Sequence, residues 1–429
     1  MVYYAKIILI YYIAQERGMI MEISLDKTVR AMSIALDLIE ISSLEDKNII
    51  ESVSNVNYSN HEFTHHSNRT AYISLKIGSS LNLSKENMMR LYLCALLHDI
   101  GAANSLKSSH SHSDFIKNHC IKGCEIIKPF PILNGISEII LYHHENYNGT
   151  GPMNIKEDEI PVESQIIRIA DLVELLYDEK IPPYKQQNHI TNWVISHSDT
   201  IFSKEIVDCF LKVSSTDTFW FDLENIGFMN SILDEISPSL DITLRLDHFE
   251  TIASIFSNII DSKSKFTALH SKEIADLAFN VSKHLGYSDE KCKKMRIAGL
   301  LHDIGKVAIP SKILDKNGPL TKEEFSIIKS HVYYTSMILS KIDGINDITE
   351  WASSHHEKLN GTGYPRKLSS KDLSEESRIM AVCDIYQALT EDRPYRKGLS
   401  KDKAFAIMDD MASSNLICNK SLSYLKEAL

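Results

Sequence analysis

Apolar residues recur at three- and four-residue spacing along most of this chain, the period of helices that each bury one face. Met21 to Glu40, MEISLDKTVRAMSIALDLIE, opens a regular amphipathic pattern. Ala278 to Lys306, AFNVSKHLGYSDEKCKKMRIAGLLHDIGK, carries apolar residues on one face and ends in His-Asp-Ile-Gly, where Gly305 reads as a helix stop. Ile345 to His356 is another such stretch and ends in paired histidines. Asn225 to Ile236 and Leu246 to Ile260 also read as helical. The pattern predicts an all-α protein.

The same strings occur twice, which makes the chain a repeat before it is anything else. HHENYNGTGP, from His143, returns as HHEKLNGTGYP, from His355. ALLHDIG, from Ala95, matches GLLHDIG, from Gly299. His66 pairs with His270, and His119 with His331. RIADLVELL, from Arg168, is set against RIMAVCDIYQAL, from Arg378, with Asp171 opposite Asp384. The offset is 204 at His66/His270 and His98/His302, then 212 at His119/His331 and His143/His355. One short insertion near Pro310 to Lys322 explains the step. Two related helical domains follow, joined by a segment, 181–248, too apolar for a flexible tether. The boundaries read as an extension 1–21, a first domain 22–180 with a helical lead-in, a helical linker 181–248 and a second domain 249–429. The apolar content of 181–260 would suit a homodimer contact.

Composition narrows the class. A chain of 429 residues has room for two or three real cores. A formal charge of −11 without a long basic run excludes broad binding to a nucleic-acid polymer. Seven scattered cysteines without a CxxC pair read as reduced thiols in a cytoplasmic protein. Val2 to Ala14 is apolar apart from Lys6 but falls short of the about 20 residues that span a bilayer, so no membrane partner is expected.

The second domain presents His270, His302, Asp303, His331, His355, His356 and Asp384 in order, each on or at the end of a helical pattern. Any one of these histidines alone fits a satisfied core position. Asp384 inside an apolar helix is costly unless paired or metal-bound. Together, five imidazoles and two carboxylates suit two divalent cations of intermediate softness. Iron or manganese is the first choice, with zinc, nickel or cobalt also compatible.

The strings HDIGK (from His302), IPSKIL (from Ile309), HHEKLNGTGYP and LTEDRPYR (from Leu389) make the second domain resemble an HD-GYP domain, a branch of the HD phosphohydrolases. The resemblance covers nearly all of 266–398. It implies an all-helical fold and hydrolysis of cyclic dinucleotides, chiefly cyclic di-GMP to pGpG or GMP. A mixed cyclic GMP-AMP or a nucleotide monoester is the neighbouring substrate reading, and a non-catalytic cyclic-nucleotide or metal receptor the alternative of another class. Carried over residue by residue, His270, His302, Asp303 and Asp384 would hold one metal. Asp303, His331, His355 and His356 would hold the other. Cations about 3.5–4 Å apart share a water and activate it near neutral pH. Asp303 and Lys306 form the catalytic pair in this reading. Lys306, Gly363, Tyr364, Pro365 and Arg393 would contact substrate. Three-metal members of the branch carry a Glu where this chain has Phe266, so two metals are expected.

The first domain keeps His66, His98, Asp99, His119, His143, His144 and Asp171, with Glu62 four residues before His66. A second metal set is thus complete on paper. Ala102 replaces the lysine, and Gly151 runs straight into Pro152 without the tyrosine. Retained ligands without phosphate contacts read as a metal-binding, regulatory or altered-specificity domain. His61, His65, His110 and His112 read as surface positions.

Overall fold

The computed structural model describes residues 22–43, 65–102, 112–238, 240, 242–263, 270–392 and 397–429. The extension 1–21, Glu62, Phe266 and Arg393 lie outside the described residues, as do His61 and His110. Nineteen α-helices and one two-stranded ribbon make up the regular structure of the described residues. The all-α expectation therefore holds.

A lead-in helix, α1 (Leu25–Ser43), precedes the first copy. The first copy comprises α2 (His66–Ser80), α3 (Lys85–Leu97), a 3-10 turn His98–Gly101, α4 (His112–Ile127), α5 (Ile136–Tyr142) and α6 (Val162–Leu176). Four helices follow: α7 (Pro183–Ser196), α8 (Lys204–Ser214), α9 (Asp217–Glu224) and α10 (Met229–Ile236). Of these, α8 and α10 pack on α2. The second lead-in is α11 (Leu246–Lys263). The second copy comprises α12 (His270–His284), α13 (Asp289–Leu301), a 3-10 turn Ile304–Ala308, α14 (Ser311–Leu314), α15 (Lys322–Leu339), α16 (Asn346–Ala352) and α17 (Glu375–Thr390). Helices α18 (Lys401–Ser413) and α19 (Asn419–Ala428) close the chain.

The repeat extends to the caps. Ser84 Oγ accepts from Asn87 N at the start of α3, and Ser288 Oγ accepts from Lys291 N at the start of α13. Each such cap satisfies an orphan helix N–H and contributes about 1 kcal/mol. Ser288 also corrects one sequence expectation. The periodic run from Ala278 to Lys306 is two helices, because Gly286 takes φ +71° and Ser288 restarts the chain as an N-cap. Gly305 is not the helix stop either, since α13 ends at Leu301. A Cβ at Gly305 would stand 1.9 Å from the His331 carbonyl oxygen, so glycine is there to let the 3-10 turn lie on α15. Gly101 has the same relation to His119.

Helix α1 belongs to both copies. Leu25, Val29, Met32, Leu36 and Ile39 follow helical spacing and are buried. Polar residues on its other faces, Thr28, Ser33, Asp37 and Glu40, are buried too. The reason is that α1 packs on α2 and α3 of the first copy and on the Ile304–Ala308 turn and α15 of the second. Each large apolar side chain buried there is worth about 1.5–3 kcal/mol, so apolar packing outweighs any single polar contact in holding the copies together. The ribbon adds a small second clamp: β1 (Ile23–Ser24) pairs antiparallel with β2 (Thr243–Leu244), Ile23 opposite Leu244. Among the described residues no helix is long and apolar enough to cross a membrane.

Candidate metal centres

In the second copy the fold carries the seven ligand candidates to one place. His270 opens α12, His302 caps α13, and Asp303 leads into the 3-10 turn. His331 lies inside α15, His355 and His356 follow α16, and Asp384 is buried in α17. Asp303 is central. Its Oδ2 is 3.1 Å from His302 Nε2 and 3.8 Å from His270 Nε2. Its Oδ1 is 3.4 Å from His331 Nε2 and 4.0 Å from His355 Nε2. Asp384 spans the same gap, with Oδ1 3.6 Å from His270 Nε2 and Oδ2 3.9 Å from His356 Nδ1. Two clusters of ligand atoms result, His270/His302/Asp303 and His331/His355/His356, each within 4.8 Å internally.

Ring orientation is fixed by the backbone. Nδ1 of His302 donates to the Gly299 carbonyl at 2.7 Å, that of His331 to Ile328 at 2.6 Å, and that of His355 to Ala352 at 2.7 Å. In a neutral imidazole, a donating Nδ1–H leaves Nε2 as the lone-pair atom. Those three Nε2 atoms and Asp303 Oδ1 are buried with no hydrogen-bond partner. Buried polar atoms are seldom left this way. Burial takes His331 down to about 3 against the opposing pull of Asp303, and burial with the charges of His356 and His302 takes His355 well below the usual imidazole range. Both stay neutral near pH 7, the form a cation needs. Burial would raise Asp303, but His302 and Lys306 outweigh it and hold the carboxyl well below its ordinary range. The residues present therefore fit divalent cations.

The substrate candidates are less uniform. The Lys306 ammonium lies against Asp303 Oδ2. Tyr364 packs on the His356 ring, centroids 4.9 Å apart, and thus borders the cluster, followed by Pro365. A Cβ on Gly363 would meet the Glu357 Cα at 2.5 Å, so a close approach within the loop accounts for that glycine. Glu357 itself, which the motif reading passed over, accepts from Arg366 N at 2.7 Å and Leu368 N at 2.9 Å and pins the loop. Its counterpart Glu145 does the same with Met153 N and Ile155 N. The shared HHE string was the signal.

The first copy gathers His66, His98, Asp99, His119, His143 and His144 in the same way. Nδ1 of His98 and of His143 again donate to the carbonyls three residues back, Ala95 at 2.9 Å and Ile140 at 2.6 Å. Asp171 Oδ1 is 3.6 Å from His66 Nε2. His66 Nδ1 lies 2.5 Å from Glu174, whereas the equivalent nitrogen of His270 faces Glu391 at 3.3 Å. The same support comes from two different positions, which no string alignment would show. Burial lifts Asp171 to about 6, while in Asp384 the His270 hydrogen bond overcomes burial and keeps the carboxyl depressed. Ala102 is buried where the second copy has Lys306.

Two readings of the first copy need correction. Arg168 and Arg378 are not equivalent: with Asp171 set on Asp384, Arg168 falls opposite Ala381. Arg168 is buried, with Nη1 3.1 Å from His144 Nδ1 and Nη2 3.2 Å from Asn146 Oδ1. Arg378 instead donates to the Ser370 and Leu373 carbonyls. His65 is half-buried as the residue before α2, with φ 68°, rather than a surface position.

The chain is similar to known proteins across both copies. The family model described as HD domain matches residues 53–192 and 254–417. The 3′3′-cGAMP-specific phosphodiesterase 1 of Vibrio cholerae serotype O1 is 30% identical over 357 residues, 80% of this chain and 82% of that protein. The 3′3′-cGAMP-specific phosphodiesterase 3 of the same organism is 30% identical over 307 residues, 71% of this chain and 66% of that protein. A cyclic di-GMP phosphodiesterase of Pseudomonas aeruginosa is 34% identical over 180 residues, 42% of each chain. Among solved structures, a cyclic GMP-AMP specific phosphodiesterase from V. cholerae superposes with TM-score 0.62 at 23% identity, covering 93% of this chain and 97% of that one, a likeness of fold. With both of its repeats matched, the chain belongs to the HD domain family.

Proposed function

We propose that the chain is a metal-dependent cyclic dinucleotide phosphodiesterase of the HD-GYP kind, that its chemistry lies in the second copy, and that 3′3′-cyclic GMP-AMP is its substrate ahead of cyclic di-GMP. The observation that carries the activity is the set of buried, unpartnered donor atoms around Asp303: Nε2 of His302, His331 and His355, and Asp303 Oδ1. The substrate preference rests on the alignments. Relatives named for cyclic GMP-AMP align across 80% and 71% of this chain, whereas the P. aeruginosa cyclic di-GMP relative aligns with 42%.

His270, His302, Asp303 and Asp384 would hold one cation, and Asp303, His331, His355 and His356 the other. Manganese or iron suits the mixed imidazole and carboxylate set best. Bound there, two such ions would supply Lewis acidity toward a phosphate and a water of lowered pKa. The protein's own residues do the rest. The carbonyls of Gly299, Ile328 and Ala352 aim three rings at one point. Lys306 is positioned to give its charge to a phosphate oxygen as the P–O bond breaks. The Tyr364 ring beside His356 bounds the place where a nucleobase would lie.

The test is incubation of the purified chain and Mn2+ with each cyclic dinucleotide, followed by chromatography. Linear dinucleotide should form from cyclic GMP-AMP faster than from cyclic di-GMP, and Asp303→Ala should abolish it. Binding of both without product would replace the enzyme with a receptor. Abolition by Asp99→Ala alone would reverse the roles of the two copies.

A further inference from the structure

Three side chains on α1 reach three different places. Asp37 accepts from Ser67 N at 3.1 Å and Ser67 Oγ at 2.6 Å, which fixes the first turn of α2 beside His66. Asp261 on α11 holds Ser271 beside His270 in the same way. Glu40, one turn after Asp37, is 5% exposed. Its carboxyl is close enough to Asp99 and His66 to feel their charge. Glu40 Oε2 is buried with no hydrogen-bond partner, and so is Asp171 Oδ2 in the same cluster. Ser42 then leaves the first copy altogether. Its Oγ donates to the Val307 carbonyl at 2.7 Å, on the turn that carries Lys306. Buried Lys263, from α11, donates to both Ser42 Oγ and the Val307 carbonyl.

We propose that Glu40 is a ligand in a regulatory metal site of the first copy, and that α1 carries the occupancy of that site to the Lys306 turn of the second.

Two unpartnered carboxylate oxygens beside Asp99 are costly to bury together and are satisfied by a cation placed among them. The cation belongs at the His66/His98/Asp99 end of the cluster. The opposite end holds the Arg168 guanidinium beside His144, and its fixed positive charge opposes a second ion there. Glu40 and Ser42 are two residues apart on one rigid helix, so a shift that brings Glu40 onto a metal also moves Ser42 against Val307. Glu40 stands outside the repeated strings, on a helix shared by both copies. The regulatory consequence rests on the catalytic reading of the second copy, whereas the binding and the relay do not.

Calorimetric titration with Mn2+ tests the ligand. In the full chain carrying Asp303→Ala, which disables the second cluster, adding Glu40→Gln should weaken Mn2+ binding about tenfold or more. Unchanged affinity would overturn the ligand role. The relay is read by amide exchange in the same Asp303→Ala chain. Mn2+ should change exchange across residues 304–309 about fivefold. Ser42→Ala should remove that response, and Ser42→Thr, which keeps the hydroxyl, should retain it. No response to Mn2+, or the same response in Ser42→Ala, would overturn the relay. Failure of the catalytic reading shows separately, as no turnover by the unsubstituted chain.

Discussion

The Lys306 ammonium lies on Asp303 Oδ2, three residues back along the same turn. The pairing keeps a phosphate-seeking cation next to the carboxylate that bridges both clusters. Lys306→Ala should lower kcat/KM about a hundredfold while metal content stays unchanged. Lys306→Arg should recover part of the loss. Steady-state kinetics together with elemental analysis check this. Loss of metal in Lys306→Ala would make the residue a support for Asp303 instead.

Glu357 ties the loop after the paired histidines by accepting two backbone N–H groups. Hydrogen bonds to a buried charge are worth about 1.5–3 kcal/mol each. Glu357→Ala should therefore cost about 3–6 kcal/mol in urea unfolding, and Glu145→Ala a similar amount. Only the Glu357 variant should also raise KM.

Tyr364 meets His356 through its ring. Tyr364→Phe should accordingly keep KM within about twofold, whereas Tyr364→Ala should raise it about tenfold, since a lost aromatic contact is worth about 0.5–1.5 kcal/mol beyond its buried area. Initial rates against substrate concentration decide. An equal loss in both variants would move the role to the hydroxyl.

Burial, offset in part by the Ser67 hydrogen bonds, lifts the Asp37 carboxyl to about 6. A folded-state value above the unfolded one means the native protein binds the proton more tightly. The contribution to stability is full below about pH 4 and is lost as pH rises to about 6. Asp37→Asn keeps an oxygen for Ser67 and removes the titration. Relative to the unsubstituted chain, it should be neutral near pH 4 and more stable by up to about 3 kcal/mol at pH 7. Thermal unfolding at the two pH values measures the difference, and a flat difference would contradict it.

Much of this molecule is legible in its sequence. The helices follow from apolar spacing, and the ligand order follows from strings that occur twice. Of the seven side chains scattered from His270 to Asp384, five lie at or just past helix ends, while His331 and Asp384 converge on them from inside α15 and α17. What escaped has physical reasons. Glu40 and Ser42 stand outside the repeated strings, on a helix packed against both copies, and Ser42 meets its partner Val307 265 residues away. Glu174 and Glu391 support equivalent histidines from inequivalent positions. The Arg-Ile that opens both strings sets Arg168 against Arg378, whereas the register of the aspartates sets it against Ala381. Gly305 looked like a helix stop because local sequence cannot show that α15 passes over it.

The central claim is a pair of cations on either side of Asp303. Anomalous scattering from crystals of the Mn2+-loaded chain tests it most directly. Two peaks should flank the Asp303 carboxylate at about 2–2.5 Å from its oxygens, one also reaching His270, His302 and Asp384, the other His331, His355 and His356. Crystals that bind manganese elsewhere but show no anomalous density in contact with Asp303 would contradict the account.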